Sequence, residues 1–331
     1  MLVWALLGGK RAKAIRDYLK LGRLFGTTNT WGAIFLGAFT STGTATLTDA
    51  AKILMIAIFA HAYIGAINEY WHIEEDKKHP QYHYKPLVTG DISKRNALIF
   101  IYLSLIMMII LSIVFYQNLS TIALILAALF GTIYTVKGKY IPWANDTTAS
   151  FGAALLIVYG AMTIGEVTSI TIVAALCAFF ISVYSQWIDG MKDVDTDKKF
   201  KVPTTAVRWG YTHDKHLSLK DPNLLYFIGI VITIDVIYSL PAIYGLLSLT
   251  YFYIFLFIGI PIQIFLIYKL FGKQDKESLR KHPLIFLGSM MFLAFVLVID
   301  KITIWGVIIT FTFIVGWVYV FSLFGVCFSR N

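Results

Sequence analysis

Apolar runs about 20 residues long recur from one end of this chain to the other, and nothing else in it restricts the fold as much. They occupy about 29–46, 50–70, 96–116, 119–136, 146–165, 168–188, 224–246, 250–271, 283–299 and 302–325. Each approximates the ~20 residues that a helix needs to cross a bilayer. Of the 331 residues, 58% are hydrophobic and 14% charged, well below the ~25% charged of a soluble domain. The expected class is an all-α integral membrane protein with nine to ten transmembrane helices. The stretch Met1–Leu7 is short and leads into basic residues rather than a cleavage site, so no cleaved leader is expected.

The formal net charge of +9 does not imply nucleic acid, because of where it sits. Of 28 Lys and Arg, 26 fall before residue 25, within 77–95, 137–139, 192–220 and 269–281, and at Arg330. The positive-inside rule makes these segments cytoplasmic. The ten-span topology then closes with the N-terminus inside, and a plasma membrane location is expected. Residues 10–25, KRAKAIRDYLKLGRLF, read as a basic amphipathic helix on the cytoplasmic surface.

Two cytoplasmic segments carry the chemistry. In the first, NEYWHIEEDKKHPQYHYKPLVTG (68–90), Asn68, His72 and Asp76 recur every fourth residue with Glu69 beside them. In the second, DGMKDVDTDKKFKVPTTAVRWG (189–210), Asp189, Asp193 and Asp197 do the same. On a helix, residues at i and i+4 share a face, so the carboxylates would stack. Stacked anions repel, and a metal or cationic partner resolves the cost; a solvated acidic face is the plainer alternative. Each segment follows a span and runs into a Lys-, Pro- and Thr-containing stretch. That pattern suggests a weak internal duplication, in halves of about 26–145 and 146–300. If both acidic segments cap spans at one membrane surface, their oxygens can converge on one polar cavity. Such oxygens suit magnesium, which binds one or two carboxylates plus substrate phosphates. Nearby lysines would take the remaining charge of a diphosphate, and the apolar spans could house a hydrocarbon tail.

These residues resemble the UbiA superfamily of intramembrane prenyltransferases. The second segment matches that family's motif at Asp189, Asp193, Asp197, Thr204 and Gly210, with Lys201 where the family usually has glycine. The first matches at Asn68 and Asp76, with Glu69 and His72 where the family has Asp, and KPLVTG (85–90) is similar to its Arg-Pro-Leu-x-Ser-Gly run. Imidazole is a poor magnesium ligand. Tyr134, Lys139 and Asn145 are similar to a further family stretch at the cavity mouth.

The resemblance implies helices around a central cavity, a single transmembrane domain over 26–331 after an N-terminal helix over 1–25, and an extra C-terminal span. It implies Mg2+ as cofactor, a polyprenyl diphosphate donor, and a hydrophobic or amphipathic acceptor. Glu69, Asp76, Asp189, Asp193 and Asp197 would hold metal, with Asp76, Asp189 and Asp193 central to catalysis. Asn68, His72, Tyr134, Asn145, Lys139, Arg208, Lys77 and Lys201 would meet the diphosphate. The acceptor is a glycerol-phosphate ether lipid or an aromatic acid, and the basic cytoplasmic surface favours the first. A terpene cyclase-like relative, a different diphosphate donor, or a secondary transporter with an acidic cation site are the alternatives. The HP…KP pattern at His79, Pro80, Lys85 and Pro86 is similar to phosphoribosyl-transferring relatives, whose second motif differs from this one.

Other polar residues are weighed individually. Asp235, inside a span, is either functional or a partner for a neighbouring helix. Asn29 is a candidate polar contact or an interfacial cap. His79 and His83 lack the companions of a zinc site, and Cys177 and Cys327 are expected to be buried apolar residues.

Overall fold

The structure, a computed structural model, describes residues 9–78, 82–141, 143–274, 279 and 296–298. The expected last span, nearly all of the one before it, His79, Pro80, Cys327 and Arg330 lie outside the described residues. The chain divides into two compact units. One takes residues 9–35 and 46–121; the other takes 36–45 and the described residues from 122 on.

The first unit opens with α1 (Gly9–Leu21), then a tight turn at Arg23 and a single 3-10 turn, Leu24–Gly26. Next come the first part of α2 (Thr27–Thr40), then α3 (Leu47–Trp71), α4 (Ile73–Asp76), α5 (Pro86–Thr89) and α6 (Lys94–Tyr116). Thr46 starts α3 with a capping box: its hydroxyl takes the Asp49 N–H while the Asp49 carboxylate takes the Thr46 N–H. Ser93 caps α6 through the Asn96 N–H at 3.2 Å. The buried stripe of α6 is Ala97, Ile101, Ser104, Met108 and Ser112. Its other faces expose Ile99, Leu103, Ile106, Ile110 and Ile113. In water that apolar surface would be a liability; against lipid it is the favoured one.

The second unit holds the end of α2, most of α7 (Ser120–Val136), α8 (Ala144–Ile164), α9 (Ser169–Lys192), α10 (Val194–Lys199), α11 (Thr205–Arg208) and α12 (Pro222–Ile243). It continues through α13 (Leu249–Ile254), a π-helical turn at Phe255–Gly259, and α14 (Ile260–Lys269). A two-residue antiparallel pair joins His216–Leu217 to Gly272–Lys273. Helix α9 packs on α8 and α12. The end of α2 crosses α8 so closely that a Cβ at Gly37 would lie 2.0 Å from the Ile157 carbonyl oxygen, which only glycine permits.

Among the described residues, six helices are long and apolar enough to cross a membrane: α3, α6, α8, α9, α12 and the 250–269 segment. Ser120–Val136 is a shorter apolar helix. The chain is therefore an all-α integral membrane protein, with six such spans among the described residues; two of the ten expected spans fall almost wholly outside those residues. The expected first span, 29–46, differs most. Its helix ends at Thr40, where the Ser41 and Thr40 hydroxyls bond back to carbonyls of the last turn.

Candidate functional site

Glu69 lies in the last turn of α3, buried to 5% exposure, and is met by two cations. The Arg23 guanidinium donates to Glu69 Oε1 from Nε at 2.8 Å, and to Asn68 Oδ1 from Nη2 at 2.9 Å. The Lys85 ammonium lies 3.1 Å from Glu69 Oε2 and 2.7 Å from Asp76 Oδ2. Lys85 also stands 4.5 Å from the centre of the Tyr82 ring, a cation–π contact. His72 caps α3, and its Nδ1 pairs with Glu75 at 3.1 Å. Lys77 is exposed and reaches Glu74 at 3.3 Å.

The second unit carries a segment of the same build. Asp189 is in the last turn of α9, Asp193 caps that helix, and Asp197 lies in α10. Lys192 Nζ stands 2.5 Å from Asp189 and 3.6 Å from Asp193. Asp189 and Asp193 keep 54% and 32% of their side-chain surface. Burial pushes the Asp197 carboxyl up to about 7, against the opposing pull of Lys139, which places Lys139 in its field. Gly190 leaves room for Thr204, which a Cβ there would meet at 3.2 Å.

Helix α3 breaks at His72 (φ −96°, ψ 9°) and α9 at Asp193 (φ −102°, ψ 13°). Both breaks keep the i to i−4 ladder: His72 N–H to Asn68 C=O and Asp76 N–H to His72 C=O, then Asp193 N–H to Asp189 C=O and Asp197 N–H to Asp193 C=O. The main-chain spacing of four residues is therefore kept across each break. Both segments then run into a one-turn helix, α5 or α11, followed by a left-handed glycine, Gly90 (φ 81°) or Gly210 (φ 67°). Thr168 and Thr171 form a capping box at the start of α9, as Thr46 and Asp49 do for α3.

Tyr134 donates its hydroxyl to Gln186 Oε1 at 2.7 Å, one turn before Asp189 on α9. Asn145 is buried and donates to Asp146 at 2.9 Å. Arg208 is exposed, its guanidinium carbon 4.9 Å from the Trp143 ring centre. Trp143 meets Trp209 edge-on, and Trp209 meets Tyr226. Lys201 is exposed. Sequence reasoning missed Arg23, Lys192, Gln186, Asp146 and Trp143, and noted Lys85 only as part of a motif. The basic and aromatic character of their segments was visible, but Arg23, Gln186 and Asp146 have partners 45 or more residues away, and Lys192, which pairs locally with Asp189, was read only as part of the basic stretch.

Among the described residues no three His, Cys, Asp or Glu side chains are preassembled around a metal position. Magnesium does not need that, since it keeps waters and takes one or two carboxylates with substrate phosphates. The second segment fits it: Asp189 and Asp193 lie one turn apart, open to solvent, with one lysine between them. The first segment fits poorly. Glu69 and Asp76, the expected ligands there, are ion-paired to Arg23 and Lys85, and His72 supplies an imidazole.

The UbiA prenyltransferase family model matches residues 29–296. A digeranylgeranylglyceryl phosphate synthase of Korarchaeum cryptofilum is 28% identical over 202 residues, 60% of this chain and 66% of that protein. The chain thus matches just under two thirds of that relative's length. A solved structure described by the words "the biosynthesis of Digeranylgeranylglyceryl phosphate synthase in membranes" superposes with a TM-score of 0.68 at 20% identity, covering 87% of this chain and 99% of that one. A UbiA homologue from Archaeoglobus fulgidus bound to GPP and Mg2+ gives 0.59 at 19% identity, covering 92% and 99%. At those identities the structures speak for the fold alone. The extent of the family match, with the two acidic segments inside it, settles the relationship: this chain belongs to the UbiA prenyltransferase family.

Proposed function

We propose that this protein is a magnesium-dependent intramembrane prenyltransferase. It moves a polyprenyl group from its diphosphate to a glycerol-phosphate ether lipid acceptor at the cytoplasmic side of the membrane. The observation that carries this reading is the four-residue spacing of Asp189, Asp193 and Asp197, which main-chain hydrogen bonds keep through the end of α9, followed by the cations of the 198–208 stretch. The Korarchaeum relative's name favours the ether-lipid acceptor over an aromatic acid, and the Archaeoglobus homologue's ligands favour an allylic diphosphate donor with magnesium.

Asp189, Asp193 and Asp197 are the magnesium-holding residues in this reading. Bound there, magnesium would neutralise the diphosphate as it departs from the prenyl C1. Lys139 and Arg208 bind diphosphate oxygens directly. Arg208 is oriented by the Trp143 face beneath it. Lys77 and Lys201, both exposed, attract the donor at longer range. Tyr134 holds Gln186 and so steadies the last turns of α9. Ionisation of the C1–O bond gives diphosphate and an allylic cation; the acceptor hydroxyl oxygen bonds to C1 and gives up its proton to the released diphosphate or to water, and aromatic faces would stabilise the cation.

Purified protein with magnesium and geranylgeranyl diphosphate should release diphosphate only when geranylgeranylglyceryl phosphate is added. Release without acceptor would assign a cyclase-like ioniser instead. Absence of release together with measurable cation flux in vesicles would assign a transporter.

A further inference from the structure

We propose that the first acidic segment of this chain is free of magnesium, and that Lys85 is its resident cation. The inference deepens the transferase reading and rests on it for the donor used in the test. Three observations carry it.

Both buried carboxylates are already neutralised from within the same unit. Glu69 and Asp76, at 5% and 6% exposure, face two cations, Arg23 and Lys85. Two carboxylates against two fixed cations leave no net charge to draw a divalent ion. In the second segment one lysine serves both Asp189 and Asp193, and net negative charge remains.

Lys85 itself is closely held. Its ammonium has three donors. Two are taken by Asp76 at 2.7 Å and Glu69 at 3.1 Å, and the cation faces the Tyr82 ring at 4.5 Å. It stands between two carboxylates, as a bridging metal would, with 11% of its side chain exposed. Displacing it would leave the Asp76 carboxylate buried without its cation.

The third position of the segment is His72, whose ring nitrogen pairs with Glu75 at 3.1 Å. A hard cation such as magnesium gains little from imidazole. The segment therefore works as a rigid support. It holds Arg23, 40% exposed along its side chain, with donors left over for a phosphate oxygen.

The test counts metal rather than turnover. Mn2+ bound to the whole protein in nanodiscs, with the unreactive thiolo analogue of geranylgeranyl diphosphate, is titrated by electron paramagnetic resonance. Glu69→Gln and Asp76→Asn should leave the number of tightly bound Mn2+ ions unchanged, while Asp193→Asn should lower it. A lowered count in either first-segment variant that still melts cooperatively would overturn the proposal. Should both variants fail to fold, the wild type still decides. Acetylation of Lys85, followed by mass spectrometry, should be as slow with saturating Mg2+ and analogue as without them. Labelling accelerated by Mg2+ would mean that the metal evicts the lysine, and would sink the idea. Loss of acceptor-dependent transfer with these metal counts intact would overturn the proposed function and leave this inference standing.

Discussion

The Thr205 hydroxyl donates to the carboxylate of Asp146, a group only 1% exposed at the start of α8. The Asn145 amide donates to the other oxygen at 2.9 Å, and Tyr226 of α12 also bonds the carboxylate. One acceptor thus ties α8, α11 and α12 together, and it anchors the loop that carries Thr204 and Arg208. Asp146→Ala leaves two or three buried donors without an acceptor, at about 1–3 kcal/mol each. The expected result is a lower melting temperature in detergent and a raised KM for the prenyl diphosphate. Thr205→Val should show a smaller loss of the same kind. An unchanged melting curve for Asp146→Ala would refute the anchoring role.

Lys201 has φ 56°, in the left-handed region. A side chain there costs about 1–2 kcal/mol relative to glycine. This chain thus keeps the backbone shape that glycine would adopt at that position while carrying a lysine. Lys201→Gly should raise stability by about 1 kcal/mol, read from chemical denaturation. The lost charge should weaken donor binding at low salt and have little effect at high salt, because exposed charges are screened. A rise in KM of equal size at high salt would instead indicate direct contact with the diphosphate.

Legibility followed the range of each interaction. Apolar run length placed α6 and α12 to within a few residues, at Lys94–Tyr116 and Pro222–Ile243 against expected spans of 96–116 and 224–246. The π-helical turn at Phe255–Gly259 had no signal, because its sequence, FLFIG, is as apolar as the helix on either side. The carboxylate spacing was legible because it is local, and the i to i−4 ladder preserves it through both helix breaks. The charges on those carboxylates were not. Arg23 lies 46 residues from Glu69, and Thr205 lies 59 from Asp146. No periodicity encodes a contact across that distance.

Asp221 caps α12 by accepting the Asn223 N–H at 2.8 Å, and pairs with Lys215 at 2.8 Å. Desolvation raises its carboxyl pKa, but the hydrogen bonds from Lys215 and Asn223 outweigh that and hold it below the ordinary 3.8. A depressed folded pKa means stability that is present above the unfolded value and lost as pH falls through the folded one. Asp221→Ala should therefore cost about 1 kcal/mol at neutral pH. The gap to wild type should close only below about pH 4. Melting curves of both proteins across that range read it out; a gap that closes nearer pH 6 would assign the effect to another group.

Asp193 offers the cleanest separation of chemistry from folding. It is the cap residue of α9 with φ −102°, ψ 13°, a backbone conformation open to alanine. Its N–H bond to Asp189 is a main-chain bond and survives any side-chain change. Lys192 retains Asp189 as partner when Asp193 is gone. Asp193→Ala should thus leave stability within about 0.5 kcal/mol of wild type. Turnover should fall about 100-fold or more, the scale of losing one preorganised electrostatic contact to the departing group. The control is two residues away. Asp195 is 78% exposed along its side chain and meets only His213 at 3.7 Å among the described residues. It is out of step with the four-residue spacing of Asp189, Asp193 and Asp197. Asp195→Ala should keep full activity. If the two alanine variants lost turnover equally, the acidic stretch would be acting through bulk charge, and no individual carboxylate could be given a place in the chemistry.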